Sequence, residues 1–324
     1  MKILRLPRWL IVLCAGWAFS TPLLAQPYPA KPVRIIVPFA PGGATDIQAR
    51  VFARVLGEQT GQAVVVENRP GASGLIGAEA VARAAPDGYT ILFTTAALAI
   101  NATLSKSTLS FDPVKDLAPV MWVSSTPLVL IANPNLPAKS VAELIELSKQ
   151  KPAGLNAALT VSGSTSHLAA EMFRQLSGVR FTNVPYKGGA PAMLALVGGE
   201  VDFLFAEAVL ALPQIKAGKV RAIAVTTAQA SGVFPGLPAM NASLPGLVAD
   251  NWFAIFTAGG TPRETITALN GALRKAMESN PVRALFEQDA LTPAGGSPDE
   301  LASHFRREIE RYAEVIRKGG IAAQ

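Results

Sequence analysis

Short apolar segments that suit buried strands alternate along the chain with segments whose apolar residues recur at helical spacing. The first such pair begins with Val33–Val37, a β-branched run that predicts a strand buried on both faces. A loop of proline and glycine residues follows at 38–43, and a helical pattern starts at Ile47. The apolar side of this helix consists of Val51, Phe52, Val55 and Leu56.

This strand–loop–helix unit predicts a site for an anion. The first N–H groups of a helix have no partner within the helix, and the helix dipole favours negative charge at that end. Asp46 stands in the first turn, where it is interpreted first as a cap that accepts one of these N–H bonds. The alternative is that Asp46 contacts a ligand ammonium group or an ordered water molecule.

The same arrangement is predicted a second time near the middle of the chain. Residues 156–161 form a strand pattern, the small polar residues 162–167 follow, and a helix continues through Leu176. An earlier strand pattern at 89–94 ends in Thr94 and Thr95. Their hydroxyl groups are expected near the first loop, because ligands gather beyond the carboxyl ends of strands, or else they cap the next helix.

Further strand patterns complete an alternating order of strands and helices. They lie at residues 63–67, 120–123, 127–133, 181–185, 201–205, 220–226 and 252–257. Alternation of this kind predicts α/β architecture with parallel, doubly wound sheets. Capping boxes predict helix starts after Ser140, Thr261 and Ser297, and the last helix carries an apolar stripe that is expected to dock on the chain's own core.

The first 25 residues have the three-part pattern of a secretory signal peptide. Lys2, Arg5 and Arg8 precede the apolar stretch 9–19, and cleavage is expected after Ala25. The apolar stretch falls short of the roughly 20 residues that a membrane-spanning helix needs, which argues against an anchor. The one cysteine, Cys14, lies within this segment. A mature chain would therefore have neither disulfides nor a thiol nucleophile.

Composition excludes several function classes. The formal net charge of +6 includes the signal-peptide cations, and no dense run of Lys and Arg with interleaved aromatic residues is present, so nucleic acid is not an expected partner. The two histidines are far apart, so no metal site is predicted. The glycines at 71, 74 and 77 do not have dinucleotide-fingerprint spacing, and no cofactor is predicted. The length favours two domains.

Several segments together resemble one family of receptors. They are PVRIIVPFAPGGATDIQAR, VVVENRPGASGLIGAEAVARAAPDGYT, GSTSHLAAEMF, NVPYKGGAPAMLALVGGEVD and IKAGKVRAIAVTT. In this order they are similar to the Bug family, the solute-binding proteins of tripartite tricarboxylate transport systems. The resemblance implies a type II periplasmic binding protein, with two α/β domains that close at a hinge on a small carboxylate. The expected boundaries are 26–126 with 250–324 for one domain and 127–249 for the other.

The resemblance also implies site residues. The family holds its ligand's carboxylate through backbone N–H groups, hydroxyls and waters at the PFxPGG loop, which here corresponds to Phe39, Pro41, Gly42 and Gly43. In the second domain it implies Ser162, Gly163, Ser164, Thr165, His167, Tyr186 and Lys187. A hydroxyl cluster at a helix amino end suits a second carboxylate, which favours dicarboxylates. Lys187 is a candidate cation or a solvated side chain, and His167 either contacts the ligand or ties down its own loop.

Glu207 departs from the family pattern. Relatives tend to carry Asp-Asn or another neutral residue after the Val-Asp strand, where this chain has Ala206-Glu207. If Glu207 faces the cleft, it would repel a carboxylate or pair with an amino group on the ligand.

Two other function classes remain open at this point. An exported serine hydrolase would use Ser164, His167 and an acid such as Asp202, although no GxSxG elbow is present. A periplasmic sensor for a membrane kinase would share the receptor fold. The favoured prediction is a monomeric, non-catalytic periplasmic receptor that delivers a small carboxylate or acidic amino acid to the membrane components of a tripartite tricarboxylate transporter.

Overall fold

The computed structural model describes residues 28–186 and 188–321 and contains two β-sheets. The predicted signal peptide lies outside the described residues. The strands are β1 Val33–Val37, β2 Val64–Asn68, β3 Thr90–Thr95, β4 Leu117–Thr126, β5 Leu128–Ala132, β6 Leu155–Leu159, β7 Phe181–Pro185, β8 Phe203–Glu207, β9 Arg221–Val225, β10 Asn251–Ala258 and β11 Thr292–Pro293.

Helices cover the faces of both sheets. They are α1 Ala44–Thr60, α2 Leu75–Ala82, α3 Ala97–Leu104, α4 Val141–Gln150, α5 Thr165–Ser177, α6 Gly189–Gly198, α7 Ala208–Lys216, α8 Met240–Ser243, α9 Arg263–Met277, α10 Asn280–Gln288 and α11 Pro298–Gly319, with a 3-10 turn at Ala72–Gly74 before α2. None of these helices combines the length and hydropathy needed to cross a membrane.

The six-stranded sheet defines one lobe, here called the first lobe. Its strand order is β11-β4-β10-β3-β1-β2, with β1 parallel to β2 and β3. One face packs α1, α9 and α10 around Phe52, Phe93 and Phe286, and the other face packs α2, α3 and α11. The apolar stripe of α11, including Phe305 and Tyr312, is buried in this second layer. The docking predicted for that helix is confirmed.

The five-stranded sheet defines the second lobe. Its strand order is β7-β6-β8-β5-β9, and its two faces are covered by separate apolar clusters. Phe173, Phe203 and Phe205 pack edge to face in one of them. The chain passes from the first lobe to the second between β4 and β5, and returns before β10.

The predicted α/β class is confirmed, but the sheets are not wholly parallel. β10 runs antiparallel to both β3 and β4, and β5 runs antiparallel to both β8 and β9. Both β5 and β10 directly follow a crossing between lobes, and a strand that arrives from the opposite lobe enters its sheet in the reverse direction; the short edge strand β11 is also antiparallel to β4.

The crossings are bound together by Thr226 at the end of β9. Its hydroxyl oxygen accepts a hydrogen bond from the Leu128 N–H at 3.2 Å and lies 2.8 Å from the Ala249 carbonyl oxygen, to which it donates. Thr226 is fully buried. One side chain therefore connects both of the segments that join the lobes.

Local predictions differ in outcome. The box at Ser297 is present, with Ser297 and Glu300 bonding to each other's backbone N–H groups. The box at Thr261 is wrong, because the Thr261 hydroxyl donates to the Ala258 carbonyl at 2.7 Å instead of capping α9. Ser140 does accept from the Glu143 N–H. Helices α3 and α10 were not predicted: α3 has no start signal, and the serine and proline that begin α10 follow α9 so closely that its short apolar segment does not stand out.

Candidate ligand-binding cleft

The loop between β1 and α1 is exposed, and the helix that follows it begins without a side-chain cap. Gly42 has φ of +81°, a left-handed value that favours glycine, and a Cβ atom there would meet nothing within 4 Å. Gly43 is the N-cap of α1, and no side chain of the described residues caps this helix. Pro41, Gly42 and Gly43 are exposed. The first turn of α1 is therefore available to an anion.

Asp46 stabilises this loop but does not cap α1, so the predicted cap is wrong. Its Oδ2 accepts from the Gly42 N–H and from Arg50 Nε, both at 2.9 Å, and its Oδ1 accepts from Asn68 Nδ2 at 2.9 Å. Burial alone would raise the pKa of Asp46, but these hydrogen bonds outweigh burial and hold the pKa below its usual value. Asp46 is only 3% exposed. It therefore shapes the loop and leaves the helix N–H groups open.

Phe39 and Asn68 complete the support of the loop. Asn68 Nδ2 also donates to the Phe39 carbonyl at 3.1 Å, so the amide connects the two ends of the turn. The Phe39 ring packs against the α1 side of the core and closely approaches Gly74, where a Cβ atom would lie 3.3 Å from the ring. Phe39 thus connects the first loop to the 3-10 turn before α2.

Thr94 and Thr95 are both buried at the end of β3. The Thr95 hydroxyl accepts from the Ala97 N–H at 3.3 Å, at the start of α3. Thr94 lies opposite Ala254 of β10 in the sheet. For Thr95, the contact agrees with the capping interpretation.

The loop between β6 and α5 is closed by its own hydrogen bonds. The Ser164 hydroxyl accepts from the His167 N–H at 3.2 Å and lies 3.3 Å from the Thr160 hydroxyl. His167 Nδ1 accepts from the Gly163 N–H at 3.2 Å. The alternative in which His167 ties down its own loop agrees with this contact. Burial lowers the pKa of His167, so its ring is neutral near neutral pH.

A serine hydrolase triad does not assemble around Ser164. The Ser164 hydroxyl contacts the backbone of His167 rather than the imidazole ring. Asp202 binds Lys151 Nζ at 3.0 Å and the Asn156 N–H at 2.7 Å, at the opposite end of β6. Without an acid to orient the ring or a base to take the hydroxyl proton, this arrangement lacks the geometry of nucleophilic catalysis.

Two hydrogen bonds connect the Ser162–Gly163 turn to the first lobe. The Ser73 hydroxyl donates to the Ser162 carbonyl at 2.8 Å, and Asn101 Nδ2 donates to the Gly163 carbonyl at 3.3 Å. The Ser162 hydroxyl itself is buried and has no hydrogen-bond partner among the described residues. The turn thus lies between the lobes and retains one unused donor.

A second set of contacts crosses between the lobes at Asn251, the first residue of β10. Thr165 donates to Asn251 Oδ1 at 3.3 Å, and Asn251 Nδ2 donates to Glu207 Oε1 at 2.8 Å. Burial raises the pKa of Glu207, and the Asn251 hydrogen bond opposes this. Glu207 is therefore at the interface between the lobes.

Tyr186 is half-buried on the second lobe. The Tyr186 hydroxyl lies 3.5 Å from Glu200 Oε2, on its own lobe. Lys187 lies outside the described residues. Sequence reasoning missed Ser73, Asn101 and Asn251, since none stands in a pattern that distinguishes it from other polar loop residues. They come from three separate segments, and only the fold brings them to this interface.

An open groove of about 640 Å³ lies elsewhere, between β4, β11 and α11. Trp122, Thr292, Ser303 and Arg307 are among its lining residues, and none of the predicted site residues is. Within residues 28–186 and 188–321, no cluster of His, Cys, Asp and Glu side chains could hold a metal ion. The space between the lobes is the candidate site because Ser162, Gly163 and Glu207 all form hydrogen bonds across it.

Comparison with known proteins identifies the family. A family model described as the tripartite tricarboxylate transporter family receptor matches residues 48–321. Protein BugT of Bordetella pertussis is 38% identical to this chain, and the match covers 99% of each protein. The chain belongs to the tripartite tricarboxylate transporter receptor family. The resemblance to Bug proteins seen in the motifs is confirmed.

Two solved structures of R. palustris proteins show the same fold with ligands. The Rpa4515 protein with adipate superimposes with a TM-score of 0.83 at 36% identity, covering 91% of this chain and 99% of its own. MatC with bound malate gives a TM-score of 0.80 at 32% identity, covering 89% and 100%. The chain is thus a solute-binding protein of this receptor family and not an enzyme.

Proposed function

We propose that this protein is a periplasmic receptor that captures a small carboxylate between its two lobes and delivers it to the membrane components of a tripartite tricarboxylate transporter. The observation that carries the proposal is the uncapped start of α1, where Gly42 and Gly43 face open space while Asp46 supports them from behind. A carboxylate there would accept several N–H bonds and interact favourably with the helix dipole.

The second lobe supplies the other contacts of this proposal. The Ser162 hydroxyl, which has no partner among the described residues, is a donor for a second ligand group. Ser164 stands in the same loop, the Tyr186 N–H donates to the Leu159 carbonyl at the end of β6, and Lys187 adjoins Tyr186 in the sequence. A ligand with a carboxylate at each end would bridge the lobes, and the relatives with adipate and malate carry ligands of that kind.

Capture would work by closure at the two crossings between the lobes. We take 26–126 with 250–324 as one domain and 127–249 as the other, which places the crossings next to Leu128 and Ala249. A ligand favours the closed state only if it binds that state more tightly, and contacts from both lobes provide the difference. The Ser73 and Asn101 hydrogen bonds to the Ser162–Gly163 turn, which this structure contains, would break when the lobes open.

Export agrees with the signal-peptide pattern of residues 1–25 and with the family. A sensor that passes its closed form to a membrane kinase would use the same cleft, and no feature of the described residues favours it over transport.

The experiment is a thermal-shift screen of the mature protein with mono-, di- and tricarboxylates, amino acids and aromatic acids, followed by calorimetry. A ligand at about 100 times its Kd should add about 2.7 kcal/mol to the stability of the folded state. Gly42→Ala should weaken binding of the best ligand, whereas Gly232→Ala, in the connection between β9 and α8 where a Cβ meets nothing within 4 Å, should not. Absence of any carboxylate ligand would overturn the proposal.

A further inference from the structure

Glu207 stands at a helix start, but its side chain does not stabilise that helix. It ends β8 and immediately precedes α7 as the N-cap residue, yet its side chain makes no capping hydrogen bond. In the sheet it lies opposite Leu128, two residues beyond Thr126 at the first crossing between the lobes. Its carboxylate therefore lies where the two lobes meet, beside the base of the cleft.

Thr165 and Asn251 determine the orientation of this carboxylate. The Thr165 hydroxyl donates to Asn251 Oδ1, which turns the amide NH₂ of Asn251 toward Glu207 Oε1. Glu207 consequently accepts at Oε1, and this bond orients its second oxygen without occupying it. No described residue forms a hydrogen bond with Oε2, and Glu207 is only partly buried.

Glu207 has no cationic partner among the described residues, and burial without such a partner raises the pKa of its carboxyl group. None of the ion pairs formed there includes Glu207. Placing a carboxylate at an interface without a cation costs free energy that a cationic ligand group would recover. Thr165, the first residue of α5, connects this carboxylate through Asn251 to the loop that carries Ser162.

We infer that Glu207 is a specificity-determining residue that receives the ammonium group of an amino-carboxylate ligand. This inference rests on the proposed function. One ligand carboxylate occupies the start of α1, and the ammonium group binds Glu207 Oε2 near the Ser162 loop. A plain dicarboxylate of the same length leaves Glu207 without a partner and places a second negative charge near it. The receptor therefore selects amino acids over unsubstituted dicarboxylates.

The test is calorimetry at about pH 7.5 with matched ligand pairs that differ by the amine, namely aspartate against succinate and glutamate against glutarate. The wild-type protein should prefer the amine-bearing member of one pair by at least about tenfold. Glu207→Gln should abolish this preference, because the amide still accepts from Asn251 but carries no charge. Glu58→Gln, at an exposed ion pair on α1, is the matched control and should retain the preference.

Two further variants separate ligand recognition from a purely structural role. Asn251→Ala removes a contact between the lobes but keeps the Glu207 carboxylate. It should therefore weaken binding of both ligands of a pair by similar factors. In a protein that also carries Lys187→Gln, Glu207→Gln should still abolish the preference for the amine-bearing ligand. Equal or tighter binding of succinate and glutarate to the wild-type protein would overturn the inference, as would unchanged preference in Glu207→Gln. Failure of every carboxylate to bind would instead overturn the proposed function.

Discussion

The two strand–loop–helix units look alike in sequence but are completed in different ways. In the first, Asp46 turns back to the Gly42 N–H, Arg50 and Asn68, and the start of α1 stays uncapped. In the second, Ser164 caps α5 and His167 binds the Gly163 N–H, so the loop satisfies much of its own hydrogen bonding. An apparent repeat therefore contains one helix start without a side-chain cap and one turn that forms its own cap.

The difference suits a receptor in which one loop binds the ligand and the other holds the two lobes together. In the proposed function, the first loop binds a carboxylate through preorganised backbone donors rather than through a charged side chain. The second turn offers carbonyl oxygens to Ser73 and Asn101 of the opposite lobe. We therefore expect changes in the first unit to act mainly on ligand affinity and changes in the second to act on contact between lobes as well.

The largest effect is expected for Asp46→Ala. The change removes three hydrogen bonds at a 3% exposed carboxylate and deprives Arg50 of its ion-pair partner. Stability should fall by about 3 kcal/mol, measured by chemical denaturation, and carboxylate affinity should fall with it. Asp299→Asn, at an exposed pair with Arg263, is the control. A loss below about 1 kcal/mol would contradict the supporting role of Asp46.

Gly163→Ala should lower the free energy of unfolding by about 2 kcal/mol, and Gly42→Ala should lower it by only about 1 kcal/mol. Both glycines have positive φ, but a Cβ at Gly163 would lie 2.7 Å from Asn101 Oδ1, whereas at Gly42 it meets nothing within 4 Å. Adding Asn101→Ala should recover part of the Gly163→Ala loss in thermal denaturation. Equal costs at the two glycines would mean that the lobes do not approach each other here.

Ser164→Ala should reduce stability by about 1 kcal/mol, the usual cost of losing a helix cap. Thermal denaturation should show this loss, with Ser303→Ala, an exposed position in α11, as the control. Ligand affinity should change less than in Gly42→Ala. Affinity loss in Ser164→Ala as large as in Gly42→Ala would show that the second loop binds the ligand as directly as the first.

The smallest effect is a difference in pH response between the two units. Burial places the folded-state pKa of His167 below its unfolded value of about 6.5, so its contribution is present above that value and is lost as pH falls. The pKa of Asp46 is lowered from 3.8, so its contribution persists down to more acidic pH. Wild type should lose stability relative to His167→Gln between about pH 7 and about pH 5. A constant difference would place protonation of His167 outside this range.

The fold class and the two strand–loop–helix units could be predicted from the sequence because those features depend on local patterns. β1 and β7 have the predicted bounds, since apolar periodicity and turn residues act within a few positions. The positive φ at Gly42 and Gly163 likewise belongs to loops that the glycines mark in the sequence. The family resemblance carried by these motifs added the receptor function.

Only the tertiary structure decided which polar groups meet. Asp46 was expected to cap α1, but Asn68 from β2 and the Gly42 N–H compete for its oxygens more favourably. Asn251, Thr165 and Glu207 are separated by more than forty residues at each step and meet because the chain crosses twice between the lobes. Local periodicity carries no information about such pairs. It determined the elements and the open helix end, whereas the packing of the two lobes determined which side chains support the cleft.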